Sequence, residues 1–197
     1  MTGFFQGRRE ARLRRRFKRI GRDCRLPEGP LEVKGRVELG DRCIIGGNVI
    51  LRSHRDGSVV LGDGVEVGDY AMIHANGGVT VGDGTHIGPY CVLRDLNHWF
   101  YTEEHWRVSP PIIKPITVGR GCFIGAHSYL MPGVTLGDGA VVAPGSVVNR
   151  DIGEHEVWAG APTAQFLAHR TDPARRSGMK RHRDLLALYG FDPPADD

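Results

Sequence analysis

From Leu39 to Ile152 an aliphatic residue returns every six positions. The series runs Leu39, Ile45, Leu51; Leu61, Val67, Ile73; Val81, Ile87, Leu93; Val118, Ile124, Leu130; and Leu136, Val142, Val148. A period of six fits neither a 3.6-residue helix nor the alternation of a hairpin sheet. It predicts a chain that makes one short strand and one corner every six residues, with three sides closing an 18-residue coil. Leu, Ile and Val then stack in columns up a dry interior. Glycine follows the aliphatic residue at nine of the fifteen positions, where it is expected to tolerate the corner backbone. The fifth position of the hexad is usually small, as at Cys43, Ala71, Cys91, Ser128 and Ala140. The expected fold is an all-β solenoid of about five coils.

Coil length varies in an orderly way. Val118 to Leu136 is 18 residues, Leu39 to Leu61 is 22, Leu61 to Val81 is 20, and Val81 to Val118 is 37. Each insertion follows the third hexad of its coil, so one edge of the prism carries all the loops, and loops carry function. The insertions are Ser53–Gly57, Asn76–Gly78 and a long segment over residues 94–117, which is rich in aromatic residues and histidine. A loop this long in a compact repeat is functional or disordered, and its aromatics oppose disorder. The solenoid is expected over residues 31–162. Residues 1–25 are expected to form a basic amphipathic helix, and residues 163–197 a helical extension, with Leu185, Leu186 and Leu188 as its buried side, and an acidic tail.

Composition narrows the class. At 197 residues, 40% apolar and 25% charged, the chain suits one globular unit with appendages. It has no run of 18 apolar residues, so no membrane-spanning helix is expected. Arginines stand where a signal peptide needs its apolar segment, which points to the cytoplasm. Cys43 and Cys122 fall on one side of the prism three coils apart, roughly 14 Å at about 4.8 Å per strand, too far for a disulfide. The first 25 residues hold ten Lys or Arg against Glu10 and Asp23, a net charge of +8. Leu13, Phe17 and Ile20 form one narrow apolar stripe there. The stripe suits packing over the first coil, contact of residues 8–22 with an anionic membrane surface, or nucleic acid; the last has no motif or aromatic interleaving to support it.

The hexads, the corner Asp95-Leu-Asn-His98, the run from Val118 through Pro132-Gly and Ala143-Pro-Gly to Val148, and the exit Ala159-Gly-Ala-Pro162 together resemble the hexapeptide-repeat acyltransferases. The nearest branch resembles the maltose, galactoside, xenobiotic and polysaccharide O-acetyltransferases. The match covers roughly residues 35 to 170. It implies a left-handed parallel β-helix, a homotrimer, and acetyl-CoA bound between neighbouring prisms. The hand is implied by the resemblance alone, because parallel crossovers are ordinarily right-handed.

Acyl transfer from a thioester to a hydroxyl needs a base with a pKa near neutrality, and imidazole supplies it. The resemblance selects His98 as that base, with Asp95 either orienting its ring or capping the loop. Asn76, Asn97, Trp99, His105 and Trp106 are the candidate acceptor contacts; Trp99, Phe100 and Trp106 would either form a platform for the acceptor or anchor the loop. By position in the family, Ala126, Ala143, Pro144, Asn149, Arg150, Ala161, Pro162 and Thr163 would contact the coenzyme. Small corner side chains leave backbone groups open to pantetheine, and one N–H can stabilise an oxyanion. Phe123 stands where relatives often have Trp, and Ala164 and Leu167 where some have coenzyme-binding arginines. Arg150, His169 or Arg170 would then meet the phosphates.

An N-acyltransferase acting on an amino sugar is the alternative within this class. A zinc lyase built on a similar prism needs three converging histidines. Here the residue one coil after His74 is Arg94 and the residue one coil after His86 is Phe123, so no metal is expected. A purely structural solenoid is opposed by the long aromatic loop and the setting of His98.

Overall fold

In the computed structural model of the protein, residues 11–54, 56–98, 109–163 and 165–169 are described. Three parallel sheets wall a prism. The first contains β1 (Arg19–Ile20), β3 (Val37–Leu39), β6 (Val59–Leu61), β9 (Val79–Val81), β14 (Ile116–Val118) and β17 (Thr135–Leu136). The second contains β4 (Ile44–Ile45), β7 (Glu66–Val67), β10 (His86–Ile87), β15 (Phe123–Ile124), β18 (Val141–Val142) and β20 (Glu156–Ala159), and ends on β21 (Gln165–His169). The third contains β2 (Leu31–Lys34), β5 (Val49–Ser53), β8 (Met72–Ala75), β11 (Val92–Arg94), β16 (Tyr129–Leu130) and β19 (Val147–Val148).

Each strand pairs with its equivalent one coil on. Leu39 lies opposite Leu61, Leu61 opposite Val81, Val81 opposite Val118, and Val118 opposite Leu136. This register stacks hexad on hexad, as the period requires. All fifteen hexad-opening residues are at most 3% exposed. Each such side chain contributes about 1.5–3 kcal/mol by leaving water. The result is a parallel β-solenoid of about six turns, the architecture expected of a left-handed β-helix.

The turn beyond the expected five lies at the N-terminal end. Arg19–Ile20 is a strand paired with Glu38–Leu39, Arg25 bridges to Ile44, and Leu31–Lys34 pairs with Val49–Arg52. Ile20-Gly21-Arg-Asp-Cys24-Arg-Leu26 repeats the pattern of Leu39-Gly40-Asp-Arg-Cys43-Ile-Ile45. Its charged residues lie outside the prism, where the fold accepts them. Helix is confined, among the described residues, to 11–14. Leu13 and Phe17 are buried in the core cluster and Ile20 packs against it, while Arg12, Arg15 and Arg16 are exposed. The apolar stripe thus covers the first coil, and Ile20 does so from a strand rather than from a helix. At the other end β21 turns back antiparallel on β20, so strand stands where a helical extension was expected to begin. The helix expected near residues 173–189 lies outside the described residues.

The corners correct one expectation. The glycines after the hexad-opening residues do not sit at positive φ. They are required by close approach: a Cβ on Gly119 would lie 2.6 Å from the Asp138 nitrogen, and one on Gly125 would lie 2.5 Å from that of Pro144. Left-handed backbone comes two residues later in the hexad. At one corner it falls on Asp23, Arg42, Gly64, Gly84, Gly121, Gly139 and His155, and at the next on Asn48, Tyr70, Tyr90, His127 and Gly145. In the second series the rings stack in parallel, Tyr70 on Tyr90 at 4.9 Å and Tyr90 on His127 at 4.7 Å. At the first corner aspartates join successive coils. Arg22 N–H donates to Asp41, Asp41 N–H to Asp63 and Asp63 N–H to Asp83, each at 2.8–2.9 Å. All four cysteines are buried thiols. Among the described residues no helix is long and apolar enough to cross a membrane.

Candidate active site

The three insertions do share one edge, following β5, β8 and β11 of the third sheet. The longest leaves the prism as an antiparallel hairpin. β12 (Leu96–His98) pairs with β13 (Pro111–Ile113), with Leu96 opposite Ile113, Asn97 opposite Ile112 and His98 opposite Pro111. The insertion therefore ends before Ile116, which is already wall. Trp99, Phe100, His105 and Trp106 lie outside the described residues.

Asp95 fixes the root of this hairpin. It is fully buried. Its carboxylate accepts N–H bonds from Asn76 at 2.8 and 3.0 Å, from Gly77 at 2.7 Å and from Gly78 at 2.7 Å, and Asn76 Nδ2 lies 3.4 Å away. Its own carbonyl accepts from Lys114 N–H at 2.9 Å. One side chain thus holds the corner loop of the preceding coil while its backbone anchors the returning strand. Carboxylates satisfied by several backbone amides are strong anchors. Of the two expected roles for Asp95, these bonds are those of a loop cap. The amides of Gly77 and Gly78 had no part in the expected site; the close approach is at Gly77, where a Cβ would meet Ile113 Cγ2 at 2.9 Å.

His98 ends β12, half-buried, with its Nδ1 shielded from solvent. Its backbone N–H donates to Asn97 Oδ1 at 2.9 Å, while Asn97 itself is exposed. Asn76 sits half-buried at the neighbouring corner, its N–H and amide group turned toward Asp95. The hairpin stem and the Asp95 cap thus bring Asn76, Asp95, Asn97 and His98 to one edge.

The residues expected to meet coenzyme spread over two edges. Ala126, Ala143 and Pro144 stack at the corner between the second and third sheets, with Gly145 N–H donating to Ala126 O at 2.8 Å. Asn149 and Arg150 are exposed where the chain leaves β19, and Arg150 lies 5.4 Å from the centre of the Trp158 ring. Ala161 and Pro162 are exposed, and buried Thr163 donates its N–H to Val147 O at 2.8 Å, extending the third wall by a rung. Thr163 Oγ1 reaches Asn149 Oδ1 at 3.4 Å. Ala126, Ala143 and Pro144 therefore lie across the width of the third wall from His98. Ala164, Arg170 and the side chains of Leu167 and His169 lie outside the described residues.

The other histidines stand on the walls. His86 faces Glu66 at 3.3 Å and stacks on Phe123 at 5.2 Å, and its partner one coil on is Phe123. His74 lies opposite Arg94, its ring 4.9 Å from that of His54. Burial, then the positive charges nearby, lower the pKa of His74. Phe123 and Arg94 occupy the places where a zinc prism needs histidines.

Comparison with known proteins agrees with this architecture. Residues 115–150 match the bacterial transferase hexapeptide (six repeats), and residues 36–77 match the hexapeptide repeat of succinyl-transferase. The chain is 48% identical over 48 residues to the galactoside O-acetyltransferase of Escherichia coli (strain K12), an alignment that spans 24% of either protein. It is 29% identical over 173 residues to WbbJ of the same organism, assigned by name to O-acetyl transfer in lipopolysaccharide biosynthesis; that match covers 82% of this chain and 86% of WbbJ. The fold is similar to that of AntD, an N-acyltransferase from Bacillus cereus solved with a dTDP-linked amino sugar and coenzyme A. That likeness has a TM-score of 0.74 at 17% identity and covers 89% of this chain and 96% of AntD. With its period, its three-walled register and two matched repeat segments, this chain is similar to the hexapeptide-repeat transferases of bacteria.

Proposed function

We propose that the protein is an acetyl-CoA-dependent O-acetyltransferase acting on a hydroxyl of a sugar, polysaccharide or natural-product acceptor. The observation that carries this reading is the position of His98 at the end of a hairpin stem, on the edge that bears all the insertions and beside the Asp95-capped loop. The imidazole of His98 is the group that meets the acceptor. It takes the hydroxyl proton as the oxygen attacks the thioester carbonyl. The tetrahedral oxyanion collapses, the C–S bond breaks, and the imidazolium returns the proton to the departing thiolate. A positioned base of this kind contributes about 10² to 10⁴ in rate.

The coenzyme contacts on the far side of the third wall support a homotrimer in which each His98 faces a neighbour's Ala126, Ala143 and Pro144. A closed ring of identical chains repeats such an interface. The names of WbbJ and the galactoside O-acetyltransferase favour oxygen as the attacking atom. The likeness to AntD keeps N-acylation of an amino sugar as the second reading. The test is thiol release from acetyl-CoA with sugar acceptors that carry either a hydroxyl or an amine at the same carbon, with products identified by mass spectrometry. Acetyl esters that vanish in His98→Ala support the proposal. Acetamides alone select the second reading, and no thiol release with any acceptor overturns both.

A further inference from the structure

Beside the loop-bearing edge a column of basic side chains climbs the third wall. Lys34 is in register with Arg52, Arg52 with His74, and His74 with Arg94. The rungs are about 4.8 Å apart, so Arg52 and Arg94 stand roughly 10 Å apart along the column. His54 joins it through its ring contact with His74. Two carboxylates are close by. Glu32 is ion-paired with Arg52, and Asp95, next to Arg94, directs its oxygens to the amides of residues 76–78. Positive charge is therefore in excess along this strip.

Two nitrogens in the column point to a missing partner. Arg94 Nε and His74 Nε2 are both shielded from solvent and have no hydrogen-bond partner. Arg94 also enters none of the ion pairs found among the described residues. A shielded polar atom left unpaired is costly, and one on a cation more so. Arg94 and His74 are only half-buried as residues, so an anion on the outer face of the wall removes both costs by drawing the two side chains outward to it. A single carboxylate meets one rung. A diphosphate offers oxygens to several rungs, and the planar guanidinium fork takes phosphate with paired hydrogen bonds. We infer that the Arg52–His74–Arg94 column is a subsite for a diphosphate carried by the sugar acceptor, which leaves the sugar over Asn76 and His98. The column occupies the coils before the long loop, whereas the proposed coenzyme contacts follow it. The identity of the anion's owner rests on the acetyl-transfer reading; the anion site itself does not.

Isothermal titration calorimetry of the full-length protein with inorganic pyrophosphate, at fixed ionic strength, tests the subsite without any turnover. Saturable binding near one per chain is expected, weakened at least tenfold by Arg94→Ala, less by His74→Ala, and unchanged by Arg16→Ala on the exposed N-terminal segment. Thermal unfolding verifies that each variant is folded, and Arg94→Lys, which keeps the charge but loses the fork, is expected to fall between wild type and alanine. Saturating coenzyme A should leave pyrophosphate binding intact, and glucuronate should bind far more weakly. No binding, equal binding by Arg94→Ala, or displacement by coenzyme A overturns the inference, as does glucuronate binding as tightly as pyrophosphate. Acetyl transfer without pyrophosphate binding removes the subsite alone. Pyrophosphate binding without transfer to any acceptor removes the enzymatic reading alone.

Discussion

Asp95 shows how much one side chain holds at this edge. Its carboxylate satisfies three backbone N–H groups from inside the protein. Asp95→Ala leaves those amides without acceptors, and the expected loss is about 3–5 kcal/mol, the range for breaking a buried charged network, measured by thermal or urea unfolding. His98 asks less of the fold. His98→Ala is expected to lower kcat at least about a hundredfold while coenzyme affinity, measured by calorimetry, stays within about twofold of wild type, because the imidazole acts in the transition state. The cysteines carry a different signature. Burial raises the pKa of Cys43 to about 11 and raises those of Cys91 and Cys122. These thiols keep their protons in the fold at a pH where the unfolded chain has lost them. The stabilising contribution of Cys43 is complete below about pH 9 and is lost as pH rises toward about 11, and those of Cys91 and Cys122 are lost in the same direction. The unfolding temperature is expected to fall across that window, and the native thiols should resist alkylation at pH 8 until the chain is denatured.

The element is the hexad, and its positions have separate physical duties. The opening aliphatic residue fills the interior: Ile73→Ala is expected to cost about 2–5 kcal/mol, since a fully buried side chain leaves a cavity between fixed rungs. The following glycine permits contact between coils. Gly119→Ala would press its Cβ against Asp138 N at 2.6 Å. Gly84 is a different case, because its φ is +63 and nothing lies within 4 Å of a Cβ there. Unfolding midpoints should therefore rank Gly119→Ala as the more damaging and Gly84→Asn as nearly neutral, since Asn tolerates the left-handed region. Equal losses for the two would contradict this division. The hexad was legible because its apolar residue, its glycine and its small fifth residue recur in fixed order. The first coil escaped notice because Arg22, Asp23 and Arg25 hide the same order in Ile20-Gly21 and Cys24. The solenoid exterior accepts charge freely, so a charged run is no evidence against a coil. The hairpin stem at Leu96–His98 had no such order to betray it.

At the scale of the molecule, the third wall separates His98 from Ala126, Ala143 and Pro144 within one chain. Sedimentation of the full-length protein at micromolar concentration is expected to give three times the monomer mass. A monomer that still transfers acetyl groups would show that one prism completes the site alone. The same scale explains the basic N-terminal segment. Leu13 and Phe17 lie in the core, so Arg12, Arg15 and Arg16 remain as an exposed charged cover over the first coil.

The sequence by itself determined the three-sided solenoid, the single edge that carries the insertions, and the singular setting of His98 on it. A strict period forces every coil to repeat the one before, so local order is enough. It could not determine where each corner residue's obligation lies. Whether a glycine answers to its φ or to a neighbour, whether Asp95 faces an imidazole or three amides, and which cations meet up a wall all depend on contacts about twenty residues apart. Those contacts exist only once the coils are stacked in register, and only the tertiary structure supplies that.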